Sequence, residues 1–580
     1  MTCSPGRRFT LVYAALAALR VLVAITSTSV IHPDEHFQNP EIAADAVFRY
    51  EMGPGGSGPL RTWEWRGPTP ARSIVPVFGS TGIAFWLVRL LCGTHPSGPV
   101  LFAAERGAML LLSFCIDWLV WRTSLAHRPT QLLFATSPIT FTYLLRPFSN
   151  SLETLCLALL LCLTRTSNRS GTTKAAAALM GAIVAYGCFV RVTFVAFALP
   201  ACVHVLKPVR IFQQRSSRYA FMRSVSMMMV GAASTSLLCI AIDSWYFRGG
   251  APWPVLAPLN LLRYNLSSAN LKDHGLHPRY LHLLVNWPML FGVGIAAVGS
   301  VARSGWRQRR ARRDRLQSTA PPLFLATLVL PTLALSIQPH QEPRFLIPLL
   351  VPLVLIAGRS SLVSTENVLS RNRRVFWGFW LAHSVLFTAL FGFLHQGGII
   401  PALFQLNSDL RATSPGHLGA LQEIDIVFWR TFMPPRHLLL PIPSGETAQP
   451  TVHVTDLAGA DRPELYEALE RLSSYLPASA EQSTTGRRGV LLVAPASSPG
   501  LAELACGPEQ FAAVAGDFQP RSVCINPLWP EAPLFGVHVD MDRLDQLVRG
   551  GVERSGVGVW EVKAATDRLH ARALGHDEIR

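Results

Sequence analysis

Long apolar runs separated by short basic loops decide what this chain can fold into. Inside a bilayer every backbone N–H and C=O must be bonded within the protein, so apolar runs of about 20 residues become helices. The candidate runs are 11–30, 74–93, 101–121, 131–145, 151–164, 174–206, 225–247, 283–302, 322–338, 345–358 and 376–398. The run 174–206 has room for two short helices. Only 15% of residues are charged, against about a quarter in soluble domains. The expectation is an all-α polytopic membrane protein with about 11 transmembrane helices.

The formal net charge of +16 does not read as a nucleic-acid groove. The positive residues form short clusters between apolar runs, where the positive-inside rule puts them. One cluster is Arg303, Arg307, Arg309, Arg310, Arg312, Arg313 and Arg315; a second is Lys207, Arg210, Arg215, Arg218 and Arg223; a third is Arg371, Arg373 and Arg374. With these on the cytoplasmic side, 248–282, 339–344 and 399–580 fall on the other side. With Arg7 and Arg8 inside, 31–73 joins them. The forward and backward counts disagree by one crossing between residues 74 and 206. Either one candidate is not a full pass, or 174–206 is a single kinked helix. The first run shows no clear small-residue cleavage site and is read as an uncleaved span rather than a signal peptide.

Residues 1–400 form the multi-span domain with the loop 31–73, and 401–580 form a second domain. The latter is more polar, helix-like at 463–475 and strand-like at 489–494 and 556–562, which suggests a small α/β domain. Residues 53–59 read as a flexible loop tip. Cys92, Cys115, Cys156, Cys162, Cys188, Cys202 and Cys239 lie in or beside apolar runs and act as small hydrophobes. Cys506 and Cys524 are free to pair if their domain faces an oxidising lumen.

The segment Ile31-His32-Pro33-Asp34-Glu35-His36-Phe37-Gln38 follows the first run directly. Pro33 suits the first turn of a helix, and acids favour a helix N-terminus, so a plain helix start is one reading. His32, Asp34 and His36 alternate at ligand spacing, yet no fourth ligand is evident and no metal is assigned. The third reading is a general base at the membrane edge, its pKa raised by partial shielding. Trp63, Glu64 and Trp65 with Arg61 and Arg66 suit sugar stacking or an interfacial aromatic belt. Arg146 to Glu153, including Asn150, puts ionisable groups at membrane depth, where they face a cavity or a partner. Arg191 and Asp243 raise the same question. Asn260 to His282 is rich in polar groups. His340-Gln341-Glu342-Pro343-Arg344-Phe345 supplies an arginine suited to a leaving phosphate, or a structural Arg–Glu pair.

These motifs resemble glycosyltransferase family 22, the dolichyl-phosphate-mannose-dependent mannosyltransferases of the GT-C superfamily. The resemblance rests on His32 to Gln38, Trp63 to Trp65 with Arg72-Ser73, Arg146 to Glu153 and His340 to Phe345, in that order. It covers residues 9 to 400. The first motif, with His274-Gly275-Leu276-His277-Pro278-Arg279-Tyr280 and His395-Gln396-Gly397-Gly398, is most similar to the glycosylphosphatidylinositol (GPI) branch. There it is closest to the transferase of the fourth mannose, with the third-mannose transferase as competitor. The resemblance implies a GT-C fold in the endoplasmic reticulum membrane, a lumen-facing site and inversion at the sugar. It implies dolichyl phosphate mannose as donor, a GPI glycolipid as acceptor, and no cofactor. Carried over, Asp34 is the base candidate and Glu35 its neighbour. The substrate-binding candidates are His32, His36, Gln38, Trp63, Glu64, Trp65, Arg146, Asn150, His277, Arg279, His340, Glu342 and Arg344, with Arg344 first for phosphate. A transporter or flippase is the reading from another class. It predicts repeated halves, and no repeat is visible. A non-catalytic subunit of a glycosylation complex is the third.

Overall fold

The computed structural model describes residues 5–48, 59–170, 173–205, 215–267, 270, 275–311, 322–364, 370–412, 418, 421–439, 450–474, 488–506, 523–531, 534–540 and 555–564. Lys207, Arg210, His274, Arg312, Arg313, Arg315 and nearly all of the 53–59 stretch lie outside them.

Among the described residues, five helices are long and apolar enough to cross a membrane. They are Gly6–Thr26, Ile74–Cys92, Gly98–Thr123, Phe221–Tyr246 and Arg371–Leu394. Two further pairs are bent, Pro138–Leu145 with Ser149–Ser167 by 115° and His282–Phe291 with Gly294–Trp306 by 106°. Shorter apolar helices span Lys174–Val190, Phe194–Val205, Pro322–Ile337 and Pro343–Ala357.

The run 174–206 is therefore two helices. Arg191 N–H donates to the Gly187 carbonyl and closes the first; Phe194 N–H donates to Arg191 and opens the second. Phe194 folds back onto Gly187 so closely that a Cβ there would sit 2.1 Å from its ring. Two other glycines let Lys174–Val190 meet Arg215–Tyr246 backbone to backbone. A Cβ on Gly181 would lie 1.9 Å from the Met228 carbonyl oxygen, and one on Gly231 1.9 Å from that of Ala178. Small residues at such contacts are how helices approach closely without a hydrophobic drive from water. Polar groups at depth are paired: Arg20 of Pro5–Thr26 meets Asp117 of Gly98–Thr123 at 2.9 Å, with both side chains fully buried, and Tyr13 donates to the same carboxylate at 2.8 Å.

The helix Ile74–Cys92 is tied at its start to Arg215–Tyr246 and near its end to Pro40–Phe48. At its start Ser73 Oγ and Ile74 N–H donate to Asp243 Oδ1, each at 2.9 Å. Near its end Arg89 donates to the Val47 carbonyl. The following loop accepts from Arg411 at His95 and Pro96, at 2.8 and 3.1 Å. Phe85 is buried on one side, whereas Ile83, Trp86, Leu87, Leu90 and Leu91 are exposed.

The C-terminal residues build a sheet from β1 (Glu423–Phe428), β2 (Thr451–Asp456), β3 (Arg488–Pro495), β4 (Val523–Pro527), β5 (Leu534–Phe535) and β6 (Val557–Ala564). The order is β2-β1-β3-β6-β4, with β5 on β6. The β1 pairings are parallel and those of β6 antiparallel. The strand-like stretches at 489–494 and 556–562 lie in β3 and β6, and the helix-like 463–475 overlaps Arg462–Ser473. Alternate residues of β3 feed two cores. Val490 and Leu492 join Leu465 and Leu469 of the helix Arg462–Ser473. Leu491 and Val493 join Leu403 and Leu406 of Ile399–Arg411, together with Ile42, Phe48 and Phe85. A strand buried on both faces reads as a continuous apolar run, as β3 does. The sheet thus shares a core with the loop after the first helix. Cys506 and Cys524 form a disulfide.

Candidate functional site

Pro33 (φ −53°) leads into the single turn Asp34–Phe37. Neighbours on a helix point about 100° apart, and this separates the two carboxylates. Asp34 points outward, its side chain 26% exposed, and its Oδ2 lies 2.5 Å from Arg344 Nη1. Gln38, one turn on, donates its amide to the same oxygen. His32 Nδ1 accepts the Asp34 backbone N–H at 3.1 Å. Arg344 also holds Glu342, Nη2 to Oε1 at 2.9 Å, with Nε on the other oxygen. His340 Nε2 lies 2.6 Å from Glu342 Oε1.

Burial pushes the Asp34 carboxyl up, but Arg344 and then His32 outweigh it and hold it below its ordinary value. The expectation of a raised pKa is therefore reversed, because shielding came together with a cation. Glu342 is held well below its usual range: burial raises it, and Arg344 and His340 overcome that. His340 is raised: burial lowers it, and the hydrogen bond to Glu342 prevails.

Glu35 points inward and is fully buried. Arg146 Nε is 3.1 Å from its Oε2, Arg106 Nη2 is 3.7 Å and His36 Nε2 is 3.1 Å from its Oε1. Arg146 reaches further, to Ser29 Oγ at 2.6 Å and the Thr142 carbonyl at 3.1 Å. Glu35, His36, Arg146 and Asn150 are all 0% exposed. None of the four reaches the surface in this geometry. Glu35, His36 and Arg146 fasten the turn that carries Asp34 to the helices beneath it, and Asn150 donates to Glu153 at 3.4 Å.

A second line of contacts leaves Asp34 through Gln38. Gln38 Oε1 accepts from Ser149 Oγ at 3.0 Å, and Ser149 accepts from Arg191 Nη1 at 3.1 Å. Arg191 Nε lies 3.8 Å from Glu153. Arg191 and Arg344 both flank the Phe345 ring, at 4.9 and 5.7 Å from its centroid. Gln38, Trp65, Arg72, Ser149, Phe189 and Val190 line one pocket beside this relay. Arg72 is paired with Glu64 at 2.8 Å. Three arginines thus border the space next to Asp34, each with its own glutamate. Sequence reasoning quoted Arg72 and questioned Arg191 without putting either in the site. Their signal was an arginine at the edge of an apolar run.

The other candidates divide. Glu64 and Trp65 are buried, and Trp65 Nε1 donates to the Phe37 carbonyl at 3.2 Å. Trp63 is 43% exposed and stacks on Tyr264 with centroids 3.9 Å apart. The His277 and His340 rings lie 5.7 Å apart. Arg279 is exposed and donates to the Ile337 carbonyl, so it holds the loop before His340.

A further group escaped the sequence reading. Glu41, Glu105 and His437 are fully buried. His437 Nδ1 lies 2.8 Å from Glu41 Oε1 and its Nε2 3.1 Å from Glu105 Oε2. Burial lowers His437, but the two carboxylates hold it up at about 9. Glu105 and Arg106 stand inside an apolar run, a costly placement that was the available signal.

The model of the Alg9-like mannosyltransferase family matches residues 11–441. The chain is 35% identical to the GPI alpha-1,2-mannosyltransferase 4 of Homo sapiens over 470 residues, 74% of this chain and 75% of that one. It is 32% identical to the GPI mannosyltransferase 4 of Aspergillus oryzae over 589 residues, 95% and 98% of the two chains. Against the yeast Saccharomyces cerevisiae GPI mannosyltransferase 4 the identity is 30%, over 78% and 84%. Among solved structures, ArnT from Cupriavidus metallidurans bound to undecaprenyl phosphate superposes with a TM-score of 0.50 at 11% identity, covering 96% of this chain and 98% of that one. That likeness speaks for the fold.

Proposed function

The chain belongs to the Alg9-like mannosyltransferase family, and we propose that it adds the fourth mannose, α1,2-linked, to the third mannose of a GPI precursor. It is a multi-pass membrane glycosyltransferase. The proposed donor is dolichyl phosphate mannose, the proposed place is the lumenal face of the endoplasmic reticulum, and no cofactor takes part in the transfer. A third-mannose specificity is the alternative within the family.

The observation that carries the mechanism is Asp34, a part-exposed carboxylate clasped to Arg344 and bonded to Gln38, which lines a pocket with Arg72. Inverting transfer needs a base on the acceptor hydroxyl and a cation on the leaving phosphate. Asp34, kept ionised by Arg344, takes the proton. Arg344, with Arg72 and Arg191 behind it, receives the phosphate. Glu35 serves as anchor. Trp63 on Tyr264 offers a face for a sugar ring. A base held at low pKa is weak while Arg344 clasps it. A phosphate drawn to Arg344 offsets that cation and lets Asp34 rise toward working pH.

The proposed topology has eleven crossings. In it Ile74–Cys92 lies along the lumenal surface, its exposed apolar side against lipid, and 174–206 crosses twice. With 174–206 crossing twice the tally between residues 74 and 206 is one too many, and taking Ile74–Cys92 out of it removes the disagreement.

The test uses purified chain in detergent with dolichyl phosphate mannose and a trimannosyl GPI precursor. Addition of one hexose, resistant to α1,6- and sensitive to α1,2-specific mannosidase, supports the reading. Transfer only to a dimannosyl precursor would move the chain to the third-mannose step. Mannosyl transfer that appears only with a second subunit would make it part of a complex.

A further inference from the structure

Two buried imidazoles face one buried carboxylate across a small gap. Glu105 stands between them, its Oε2 3.1 Å from His437 Nε2 and its Oε1 3.7 Å from His36 Nδ1. The candidate ligand atoms of His36, Glu105 and His437 all lie within 4.8 Å of one another. All three residues are fully buried. The far nitrogen of each ring has a carboxylate of its own: Glu41 at 2.8 Å from His437 Nδ1, and Glu35 at 3.1 Å from His36 Nε2. Neither nitrogen of His36 has a well-formed hydrogen bond, nor has Glu105 Oε1.

Ligating histidines characteristically give their other N–H to a carboxylate, which fixes the tautomer and raises ligand basicity. Zinc bonds of about 2.0–2.2 Å imply tetrahedral edges of roughly 3.4 Å. The gaps of 3.1 and 3.7 Å run from different oxygens of Glu105, and the three ligand atoms, all within 4.8 Å of one another, close onto that edge by side-chain movement. A bare hydrogen-bonded cluster explains His437, which bridges two carboxylates, but leaves His36 Nδ1 and Glu105 Oε1 aimed at each other with nothing between.

We infer that His36 Nδ1, His437 Nε2 and Glu105 form a binding site for a divalent transition metal, zinc by ligand type, with Glu35 and Glu41 orienting the two rings. The ion pins three segments distant in sequence: the turn carrying Asp34, the helix Gly98–Thr123 and the C-terminal turn Arg436–Leu439. It is a structural clamp beside the reacting groups and takes no part in the transfer.

The experiment measures metal in the full-length protein by inductively coupled plasma mass spectrometry, as purified and after titration with Zn²⁺ and desalting. The expectation is about one zinc per chain, and chelation that lowers the melting temperature. His437→Gln keeps a hydrogen-bonding side chain but should lose the ion; Glu105→Gln should bind it far more weakly; His437→Cys should keep it. A wild-type chain that retains less than about a tenth of an equivalent after Zn²⁺ titration overturns the proposal. So does zinc retained unchanged in both His437→Gln and Glu105→Gln, since it then binds elsewhere. If His437→Gln fails to fold, the wild-type stoichiometry and the His437→Cys result still decide.

Discussion

Glu35→Gln is the substitution that best separates scaffold from chemistry. The change is nearly isosteric, so packing is kept and a charge is lost. Arg146 keeps its bonds to Ser29 and Thr142 but loses a carboxylate 3.1 Å away, and Arg106 loses one at 3.7 Å. All three side chains are fully buried, so water cannot replace the missing charge. Breaking a buried pair by removing one partner costs about 3–5 kcal/mol. Two stranded guanidiniums place this case in the upper half of that range. At about 2 cal/mol/K of unfolding entropy per residue, each kcal/mol moves the melting temperature of a 580-residue chain by about 0.8 °C, so a fall of roughly 3–4 °C is expected. Thermal unfolding in detergent reads this, with transfer assayed well below the transition. Asp34→Asn is the counterpart. Asp34 is part-exposed, so the melting temperature should hardly move, while transfer should fall by about 10²–10⁴-fold, the usual worth of a general base. The reasoning is refuted if Glu35→Gln melts like wild type and loses transfer: Glu35 would then be the reacting carboxylate.

The low-pKa assignment of Asp34 has a sign that can be read. The free enzyme's carboxylate stays charged down to below the ordinary range, so wild-type kcat/KM should fall only in acid below that range; in Arg344→Gln the counter-cation is gone, burial prevails, and the acid limb of the kcat/KM profile should move to higher pH. An unmoved limb would remove Arg344 from control of the base. Gly181→Val would drive a side chain into the Met228 carbonyl; the expected result is loss of folded protein in fluorescence size-exclusion chromatography, and normal yield would contradict the close helix contact. The sequon Asn265-Leu266-Ser267 should carry glycan sensitive to endoglycosidase H and Asn168-Arg169-Ser170 should not. Glycan on Asn168 instead would overturn the proposed crossings.

The apolar runs and their basic loops made the helical membrane class legible, because lipid leaves the backbone few options. The 489–494 stretch of β3 was legible for a related reason, being apolar without interruption, and β6 by Val557, Val559 and Val562. Burial direction was not legible. Asp34 and Glu35 are adjacent and chemically alike, and only the turn after Pro33 sends one out and the other in. Glu105 and His437 are 332 positions apart, so no local spacing announces their meeting. Ile74–Cys92 has the length and apolarity of a span. Its start is bonded to Asp243, its Arg89 to Val47 and the loop after it to Arg411, ties that composition does not record.

The pairing of Arg72, Arg191 and Arg344 with Glu64, Glu153 and Glu342 bears on how a catalytic cycle ends. A spent lipid phosphate is a better anion than its sugar-bearing parent and would cling to bare arginines. Here each arginine has a glutamate already in reach. Under the proposed transfer from dolichyl phosphate mannose, a departing phosphate would return the guanidiniums to their own carboxylates and leave none exposed. Product release becomes an exchange of one anion for another, and the empty pocket is ready for the next donor.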